Sequence, residues 1–302
     1  MSQRIDVHEQ ITNRIITAIE EGAGTFKLPW HRPAGSIARP TNIASKKAYR
    51  GINVVSLWVE AQIRGFSVPV WGTYKQFNEA GCQVRKGEKA SLVVFYKEIA
   101  FEREAPEVPD DEDKTDSAWL ARGYWVFNAE QVDGFELPAK PPVAEFDRNT
   151  RVDAFIKATG ATVRHGGYSA YYRLSEDYIQ MPEAGLFNGT DTSSATEAYY
   201  STLLHESVHW TGHNSRLDRG FSSRISVEDR ANEELVAELG AAFLCADLSV
   251  TPHLRADHAH YIANWLEILK GDKKAIFKAA AAANRATDFL HGLQPTAEED
   301  RS

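Results

Sequence analysis

Cysteine is scarce in this chain, and long apolar runs are missing from it. Only Cys82 and Cys245 are cysteines among the 302 residues, and their distance along the sequence argues against a disulfide framework or a cysteine zinc site. No run of about eighteen apolar residues is present to cross a bilayer, and the amino terminus lacks the charged-then-apolar pattern of an export signal. We therefore expect a cytoplasmic protein that does not enter a membrane.

Acidic residues exceed basic ones, but the excess is confined to one part of the chain. The formal net charge is −8, yet residues 1–98 hold 14 Lys and Arg against 8 Asp and Glu. The remaining residues hold 20 basic against 34 acidic side chains. Between residues 98 and 116 the excess is strongest, which predicts a solvated loop inserted in a sheet. The two parts of the chain are expected to meet different partners.

Two histidines and a glutamate have a spacing typical of zinc hydrolases in the segment His205-Glu206-Ser207-Val208-His209. On an α-helix, residues four apart share one face, so both imidazoles can ligate one Zn²⁺. Glu206 is then the predicted general base, which takes a proton from the attacking water without ligating the metal. The segment predicts a zinc metallopeptidase site, in which Mn²⁺ or Co²⁺ is able to replace zinc.

The flanking residues predict that this segment lies in the middle of a helix. Ser194 and Glu197 have the spacing of a capping box, and residues 195–211 then form the helix. Gly212 is suited to the left-handed conformation that often ends a helix. His213 lies two residues short of the third histidine of one known zinc arrangement, so we expect it to support the site or to be structural.

A zinc site of this kind needs a third protein ligand, and the next predicted helix offers two candidates. Ser226 and Asp229 predict the start of an acidic helix over residues 228–248. Glu234 and Glu238 share one face of it, beside small residues that allow close helix packing. Glu234 is the predicted ligand and Glu238 the residue that orients an imidazole, while Glu238 as the ligand stays open.

The order of helical and strand-like segments predicts an α+β fold with two domains. A proline-rich stretch marks the boundary, with a small α+β domain over residues 1–137, a linker over 138–147 and a second domain over 148–302. In the first domain we expect helices over 3–21 and 53–65, a hairpin over 81–97 and a strand over 123–128. In the second we expect a helix over 151–159, strands over 161–164 and 170–181, the two helices described above, and helices over 261–269 and 275–290. That order suits a zincin-like metallopeptidase fold.

Cations and aromatic residues interleave in the first domain. Single-stranded nucleic acid is bound by that combination, because cations follow the phosphates and exposed rings stack on the bases. The candidate DNA contacts are Arg39, Lys46, Lys47, Tyr49, Arg50, Trp71, Tyr74, Lys75, Arg85, Lys86 and Lys89.

Several segments of both domains resemble the ArdC-type antirestriction proteins, whose first domain is similar to the start of TraC-type plasmid primases. In the first domain they are Arg39-Pro-Thr-Asn-Ile, Ala48-Tyr-Arg-Gly-Ile-Asn53, Trp71-Gly-Thr-Tyr-Lys-Gln76 and Gly81-Cys-Gln-Val-Arg-Lys-Gly-Glu-Lys89. In the second they are Leu204-His-Glu-Ser-Val-His-Trp-Thr-Gly-His213, Arg216-Leu217 and Glu234-Leu-Val-Ala-Glu-Leu-Gly240. The resemblance implies a domain that binds single-stranded DNA and a metallopeptidase-like domain, in a protein that protects incoming plasmid DNA during conjugation.

The motifs leave more than one function open. In the first, the protein is a DNA-binding peptidase whose protein substrate or partner is a host restriction component. In the second, DNA binding alone gives protection, and the zincin half is a scaffold or partner-binding module without catalysis. A third interpretation makes the basic part a protein-interaction module, which predicts no salt-sensitive DNA binding.

Overall fold

Helices and three small sheets make up the described part of the chain. In this computed structural model the described residues are 6–23, 38–100, 117–136, 145–189, 193–220, 226–251 and 258–295. The helices are α1 (Val7–Ala23), α2 (Ile52–Arg64), α3 (Tyr74–Glu79), α4 (Glu145–Thr159), α5 (Ala195–Thr211), α6 (Val227–Leu248), α7 (His258–Gly271) and α8 (Ala275–Gly292). The strands are β1 (Thr41–Asn42), β2 (Val70–Gly72), β3 (Gln83–Val84), β4 (Ser91–Ala100), β5 (Ser117–Asn128), β6 (Val132–Asp133), β7 (Thr162–His165), β8 (Tyr171–Arg173) and β9 (Tyr178–Met181).

The first half is built around a sheet in the order β1-β2-β5-β4. β4 and β5 pair antiparallel over ten residue pairs, and β1 pairs parallel with β2. Helix α2 lies along the free edge of β4, where the Asn53 side chain bonds both the backbone N–H and the carbonyl of Val94 at 2.8 Å. Because the edge groups are satisfied in this way, that part of β4 is not open to pairing with another chain.

Two expectations for the strands of the first half need correction. The hairpin predicted over residues 81–97 is wrong, because β3 pairs with β6 and β4 pairs with β5. The chain turns at Gly87, whose φ of 88° suits glycine, and passes from one sheet to the other. The acidic stretch over 98–116 begins inside a strand, since residues 98–100 belong to β4, and residues 101–116 lie outside the described part.

The second half has the predicted order of a helix, strands and two long helices. Its sheet has the order β7-β9-β8, and the single strand predicted over 170–181 is divided into β8 and β9 by a turn in which Asp177 has a φ of 50°. Helix α5 has the predicted bounds, and its capping box is present, with the Ser194 hydroxyl accepting from the backbone N–H of Glu197. Gly212 is not left-handed, however: its φ is −79°, because the chain continues in right-handed turns.

One hydrophobic core connects the two halves. α1 packs against α7 and α2 packs against α8, and the ring of Trp58 in α2 lies 5.8 Å from the ring of Phe243 in α6. The predicted domain boundary stays a prediction, since residues 137–144 lie outside the described part. None of the helices in the described ranges is long and apolar enough to cross a membrane.

Candidate functional site

Helices α5 and α6 pack closely enough to bring their polar side chains together. A side-chain carbon added at Gly240 would lie 2.8 Å from a methyl group of Val208, so only glycine permits this approach. Ala237 and Ala241 are also buried on α6. The small residues of α6 therefore set the distance at which its carboxylates face the imidazoles of α5.

The two motif histidines converge on Glu234. Its Oε2 atom lies 3.4 Å from Nε2 of His205 and 3.7 Å from Nε2 of His209. One ligand atom from each of the three residues lies within 4.8 Å of the others, and among the described residues this candidate metal-ligand cluster is the group able to hold a metal ion. In a tetrahedral shell with bonds of about 2.1 Å, ligand atoms are separated by about 3.4 Å. The three side chains therefore fit a divalent metal ion.

A carboxylate faces the other nitrogen of each ring. Glu233 lies 3.1 Å from Nδ1 of His209, and Glu238 lies 3.7 Å from Nδ1 of His205. A carboxylate that accepts from Nδ1–H leaves the Nε2 lone pair free for a metal. Glu238 thus lies on the side predicted for an orienting residue, while Glu234 faces both Nε2 atoms.

Arg219 holds Glu233 in place, and neither residue was predicted to belong to the site. The guanidinium donates to both carboxylate oxygens of Glu233, at 2.8 and 3.0 Å. It also donates to the carbonyl of Val208 and the hydroxyl of Thr211 at 2.6 Å. A chain of hydrogen bonds therefore runs from the end of α5 through Arg219 and Glu233 to His209. The only sequence signal for it is a glutamate next to the predicted ligand.

The buried carboxylates change the electrostatics of the cluster. Burial by itself disfavours a charged His209, but the hydrogen bonds and charges of Glu233 and Glu234 outweigh it and raise the pKa of His209 to about 10. Burial likewise opposes ionisation of both carboxylates, yet their hydrogen bonds to the histidines, and that of Glu233 to Arg219, lower the pKa of Glu233 and of Glu234. The cluster thus carries negative charge that favours a cation.

The other predicted residues of this half lie at different distances from the cluster. Glu206 is buried on α5 directly after His205. His213 lies beyond the end of the helix, where its Nδ1 is 2.7 Å from the Ser215 hydroxyl, and it is not part of the converging set among the described residues. The structure therefore brings His205, His209 and Glu234 together and leaves His213 outside.

Arg216 anchors the β8–β9 turn to the end of α5. Its guanidinium lies 3.9 Å from the centre of the Trp210 ring and donates to Asp177 and to the Tyr172 hydroxyl. The hydrogen bond from Arg216 lowers the pKa of the Asp177 carboxyl. This contact fixes the small sheet beside the metal-ligand cluster.

The structure removes three of the predicted DNA contacts from the surface. Tyr49 and Trp71 are buried, so neither ring offers a face on which a base can stack. Arg39 points into the molecule, where it lies 2.7 Å from Asp247 and over the ring of Phe243. These are corrections to the predicted set, because a side chain enclosed by the core does not reach DNA in this conformation.

The remaining predicted cations stay on the surface. Lys46, Lys47, Lys75, Lys86 and Lys89 are exposed, and Arg50 is exposed but forms an ion pair with Asp288 of α8. These residues can contribute to DNA affinity through phosphate contacts, which do not depend on base sequence.

Tyr74, Arg85 and Lys86 line one open cavity of about 530 Å³. Phe127, which was not predicted as a contact, forms part of the same wall, together with Glu88 and Asp133. The sequence contained a signal for Phe127, since it belongs to an aromatic-rich strand, but that signal does not tell which side of the strand faces solvent.

A second group of exposed rings lies on the long ribbon of β4 and β5. The rings of Phe95 and Tyr124 are 5.4 Å apart, and the guanidinium of Arg122 is 5.4 Å from the Tyr124 ring centre. These residues were not predicted as contacts either. None of the three lines the cavity described above.

Two protein families match the chain, one in each half. Residues 5–127 match the N-terminal domain of anti-restriction factor ArdC. Residues 150–282 match a family of zincin-like metallopeptidases.

Among similar proteins, the protein y4eC of Sinorhizobium fredii (strain NBRC 101917 / NGR234) is 44% identical over 298 residues, which are 98% of this chain and 94% of that protein. A DNA primase TraC of Escherichia coli is 35% identical over 94% of this chain. The chain spans only 27% of the length of that primase.

Two crystal structures of the antirestriction ArdC protein from plasmid R388 share the fold, each with a TM-score of 0.75 and 38% identity. The metal-free structure is covered over 98% of its length by 96% of this chain. The Mn(II)-bound structure is covered over its full length by 97% of this chain.

Proposed function

Because the chain belongs to the ArdC family of antirestriction proteins, we propose that it binds single-stranded DNA and protects incoming plasmid DNA during conjugation. We further propose that its zincin-like domain is a metal-dependent peptidase. The observation that carries the second part is the convergence of His205, His209 and Glu234 within 4.8 Å of one another. A protein component of host restriction is the proposed substrate or partner.

The ligands proposed for the metal are His205, His209 and Glu234, and two nitrogens with one oxygen suit Zn²⁺ and are compatible with Mn²⁺. When bound, such an ion polarises a peptide carbonyl and lowers the pKa of water. Glu206 supplies the proton transfer: its carboxylate takes a proton from the attacking water and returns it to the leaving amine. The burial of Glu206 keeps this carboxylate in a site of low dielectric constant, where proton transfer to the substrate competes less with solvent.

The two flanking carboxylates hold the rings for this chemistry. Glu233 lies within hydrogen-bond distance of Nδ1 of His209, at 3.1 Å, and Glu238 faces Nδ1 of His205 at 3.7 Å, an arrangement that directs both Nε2 atoms at the ion. Arg219 prevents Glu233 from turning toward the metal as a competing ligand, because it occupies both carboxylate oxygens.

The DNA-binding part of the proposal is supported by the surface of the first half. Exposed lysines lie beside exposed rings there, and this is the combination that binds unpaired strands. The similarity to a DNA primase and to an antirestriction protein supports the same partner.

A Glu206→Gln variant separates the peptidase from DNA protection. We expect it to keep its metal and its DNA affinity and to lose peptide hydrolysis, because the carboxylate is the base and not a ligand. Glu228→Gln, an exposed position on α6, is the matched control and should behave like the wild type. The measurements are metal content, hydrolysis of a peptide mixture, binding of single-stranded DNA and protection of transferred DNA.

Full protection by Glu206→Gln would favour the alternative, in which DNA binding alone protects. One observation supports that alternative: the two halves share a hydrophobic core, so the zincin half also serves as a scaffold for the first half. Normal peptide hydrolysis by the variant would refute the role of Glu206.

A further inference from the structure

The open cavity between α3, β3 and β5 combines rings, cations and carboxylates in one place. We propose that it takes one unstacked nucleobase of a single-stranded DNA, and that it prefers a base with an exocyclic amino group. This inference rests on the proposed DNA binding and adds the place and the base preference. The cavity has a volume of about 530 Å³, within the range of about 300–1,000 Å³ that is usual for small-molecule sites.

Two aromatic side chains form the walls on which a base can stack. The Tyr74 ring is 49% exposed, and its hydroxyl accepts a hydrogen bond from the Gln83 amide at 3.1 Å, which holds the ring in position. Phe127 is half-buried and packs against the small core beneath the cavity. Rings that are already fixed lose little entropy on binding, so stacking contributes in full to the affinity.

The charges in the cavity favour a base over a phosphate. Arg85 lies 3.2 Å from Glu88 and 3.6 Å from Asp133, so its charge is already neutralised by two carboxylates. A phosphate placed between these groups would face two anions. Lys86 at the rim, and Lys89 further along the same loop, are exposed and can instead contact the phosphates on either side of the bound base.

The same carboxylates provide the base preference. The Asp133 side chain is 69% exposed. Its ion pair with Arg85, at 3.6 Å, leaves lone pairs of the carboxylate that can accept hydrogen bonds from a ligand. Carboxylates accept hydrogen bonds from amino groups such as N4 of cytosine, and thymine has no amino group to offer. Cytosine should therefore bind more tightly than thymine in this cavity.

The exposed rings on the β4–β5 ribbon provide an internal control. Tyr124 lies three residues before Phe127 on β5, so the two side chains are on opposite faces of the strand. Tyr124 is 38% exposed, close to the value of Tyr74, and it lies outside the cavity. Replacing either tyrosine by leucine removes one exposed ring, but only one of the two changes removes a wall of the cavity.

The test measures binding of full-length protein to labelled oligo(dC) and oligo(dT) of equal length by fluorescence anisotropy at near-neutral pH. We expect the wild type to bind oligo(dC) about tenfold more tightly than oligo(dT). Tyr74→Leu should weaken the binding of both oligonucleotides by about tenfold, and Tyr124→Leu should leave both within about twofold. Asp133→Ala should reduce the preference for oligo(dC) to about twofold or less, whatever it does to the overall affinity.

Every other outcome contradicts a specific part of the proposal. Wild-type protein that shows no salt-dependent binding to either oligonucleotide overturns the proposed DNA binding, and the cavity proposal with it. If Tyr124→Leu loses DNA binding and Tyr74→Leu keeps it, the protein binds DNA through the β4–β5 ribbon. The proposed DNA binding is then retained and the cavity proposal is wrong. Equal affinity of the wild type for the two oligonucleotides, with Tyr74→Leu still weakened, removes the amino-group preference alone. Equal melting temperatures of the variants exclude unfolding as the cause.

Discussion

At the scale of single residues, the candidate metal-ligand cluster depends on a side chain that is not one of the three proposed ligands. Glu233 accepts from His209 and is held by Arg219, so it fixes which ring nitrogen faces Glu234. We expect Glu233→Gln to weaken metal binding by about 10- to 100-fold, because a neutral amide is a poorer acceptor and can present its N–H₂ group to the ring instead. A chelator competition titration measures the change.

The control for this prediction is Glu228→Gln, five residues earlier on α6 and exposed, which should leave metal affinity unchanged. Equal affinities of the two variants would mean that Arg219 and Glu233 serve only to join the helices.

Protonation of His209 links metal binding to pH. In metal-free protein the pKa of His209 is raised from 6.5 to about 10, so the folded state holds a proton that the unfolded state begins to release above pH 6.5. The resulting contribution to the free energy of unfolding is complete below pH 6.5 and is lost as the pH rises through about 10. Since a ligating imidazole must be neutral, metal affinity should rise with pH over the same interval.

Calorimetry of metal binding in buffers of different ionisation enthalpy measures the released protons. We expect net proton release at neutral pH for the wild type and less for Glu233→Gln, in which the pKa of His209 is raised less. Metal affinity that does not change between pH 6.5 and 10 would contradict this account.

The sequence predicts part of this cluster because part of it is local. His205 and His209 are fixed relative to each other by the helical repeat alone, so their spacing is sufficient evidence. The rotation of α6 about its axis relative to α5 decides the roles of Glu233, Glu234 and Glu238. The sequence of α6 alone does not determine that rotation. Three glutamates on one helix therefore give the correct set of candidates but do not say which nitrogen each one faces.

At the scale of elements, the distance between α5 and α6 is set at Gly240. We expect Gly240→Ala to destabilise the protein by about 1–3 kcal/mol, because the added carbon meets the methyls of Val208 and the overlap outweighs the gain in helix propensity of about 1 kcal/mol. It should also weaken metal binding, since Glu234 and Glu238 move away with α6. Chemical denaturation and metal titration measure the two effects.

Gly271 provides the matched control, because a side-chain carbon there meets nothing within 4 Å at the end of α7. Gly271→Ala should be neutral or slightly stabilising. A Gly240→Ala protein with unchanged stability and metal affinity would show that α6 tolerates displacement.

Elements were predictable where residues typical of helix ends mark them. The capping box at Ser194 and the glycine at position 212 gave α5 its correct bounds, although Gly212 is not left-handed. β3 was paired with the wrong partner because a two-residue strand carries no information about its neighbour, and the next strand in sequence is the default choice. The register with β6 is instead decided by packing of Val84 and Val132 in the small core.

At the scale of the whole molecule, Arg39 joins the two halves rather than binding DNA. Its ion pair with Asp247 is largely enclosed, and its guanidinium covers Phe243. We expect Arg39→Ala to lower the free energy of unfolding by about 2 kcal/mol, because it removes a cation from a partly buried carboxylate of α6, whose other ion-pair partner among the described residues is His291 at 3.0 Å. Under native conditions the salt dependence of DNA binding should stay as in the wild type.

Lys46→Ala is the converse case, since Lys46 is exposed and predicted to contact phosphate. It should keep the melting temperature and lower the salt slope of DNA binding by about 0.7. If Arg39→Ala lowers the salt slope of DNA binding and leaves the stability unchanged, Arg39 contacts DNA as the sequence predicted. The sequence could not separate these two cations, because burial depends on contacts with residues more than two hundred positions away.

Helix α6 contacts both halves of the molecule. It is 22 residues long, or about 33 Å, with the metal-facing carboxylates in its first half and Phe243 and Asp247, which meet the other half of the chain, in its second. Because both halves pack against α6, removing either half would expose one face of this helix. The region shared with the primase TraC includes 94% of this chain, both halves together, within 27% of the larger protein. Because the two halves share one core, a protein that carried either half alone would expose that apolar surface to solvent.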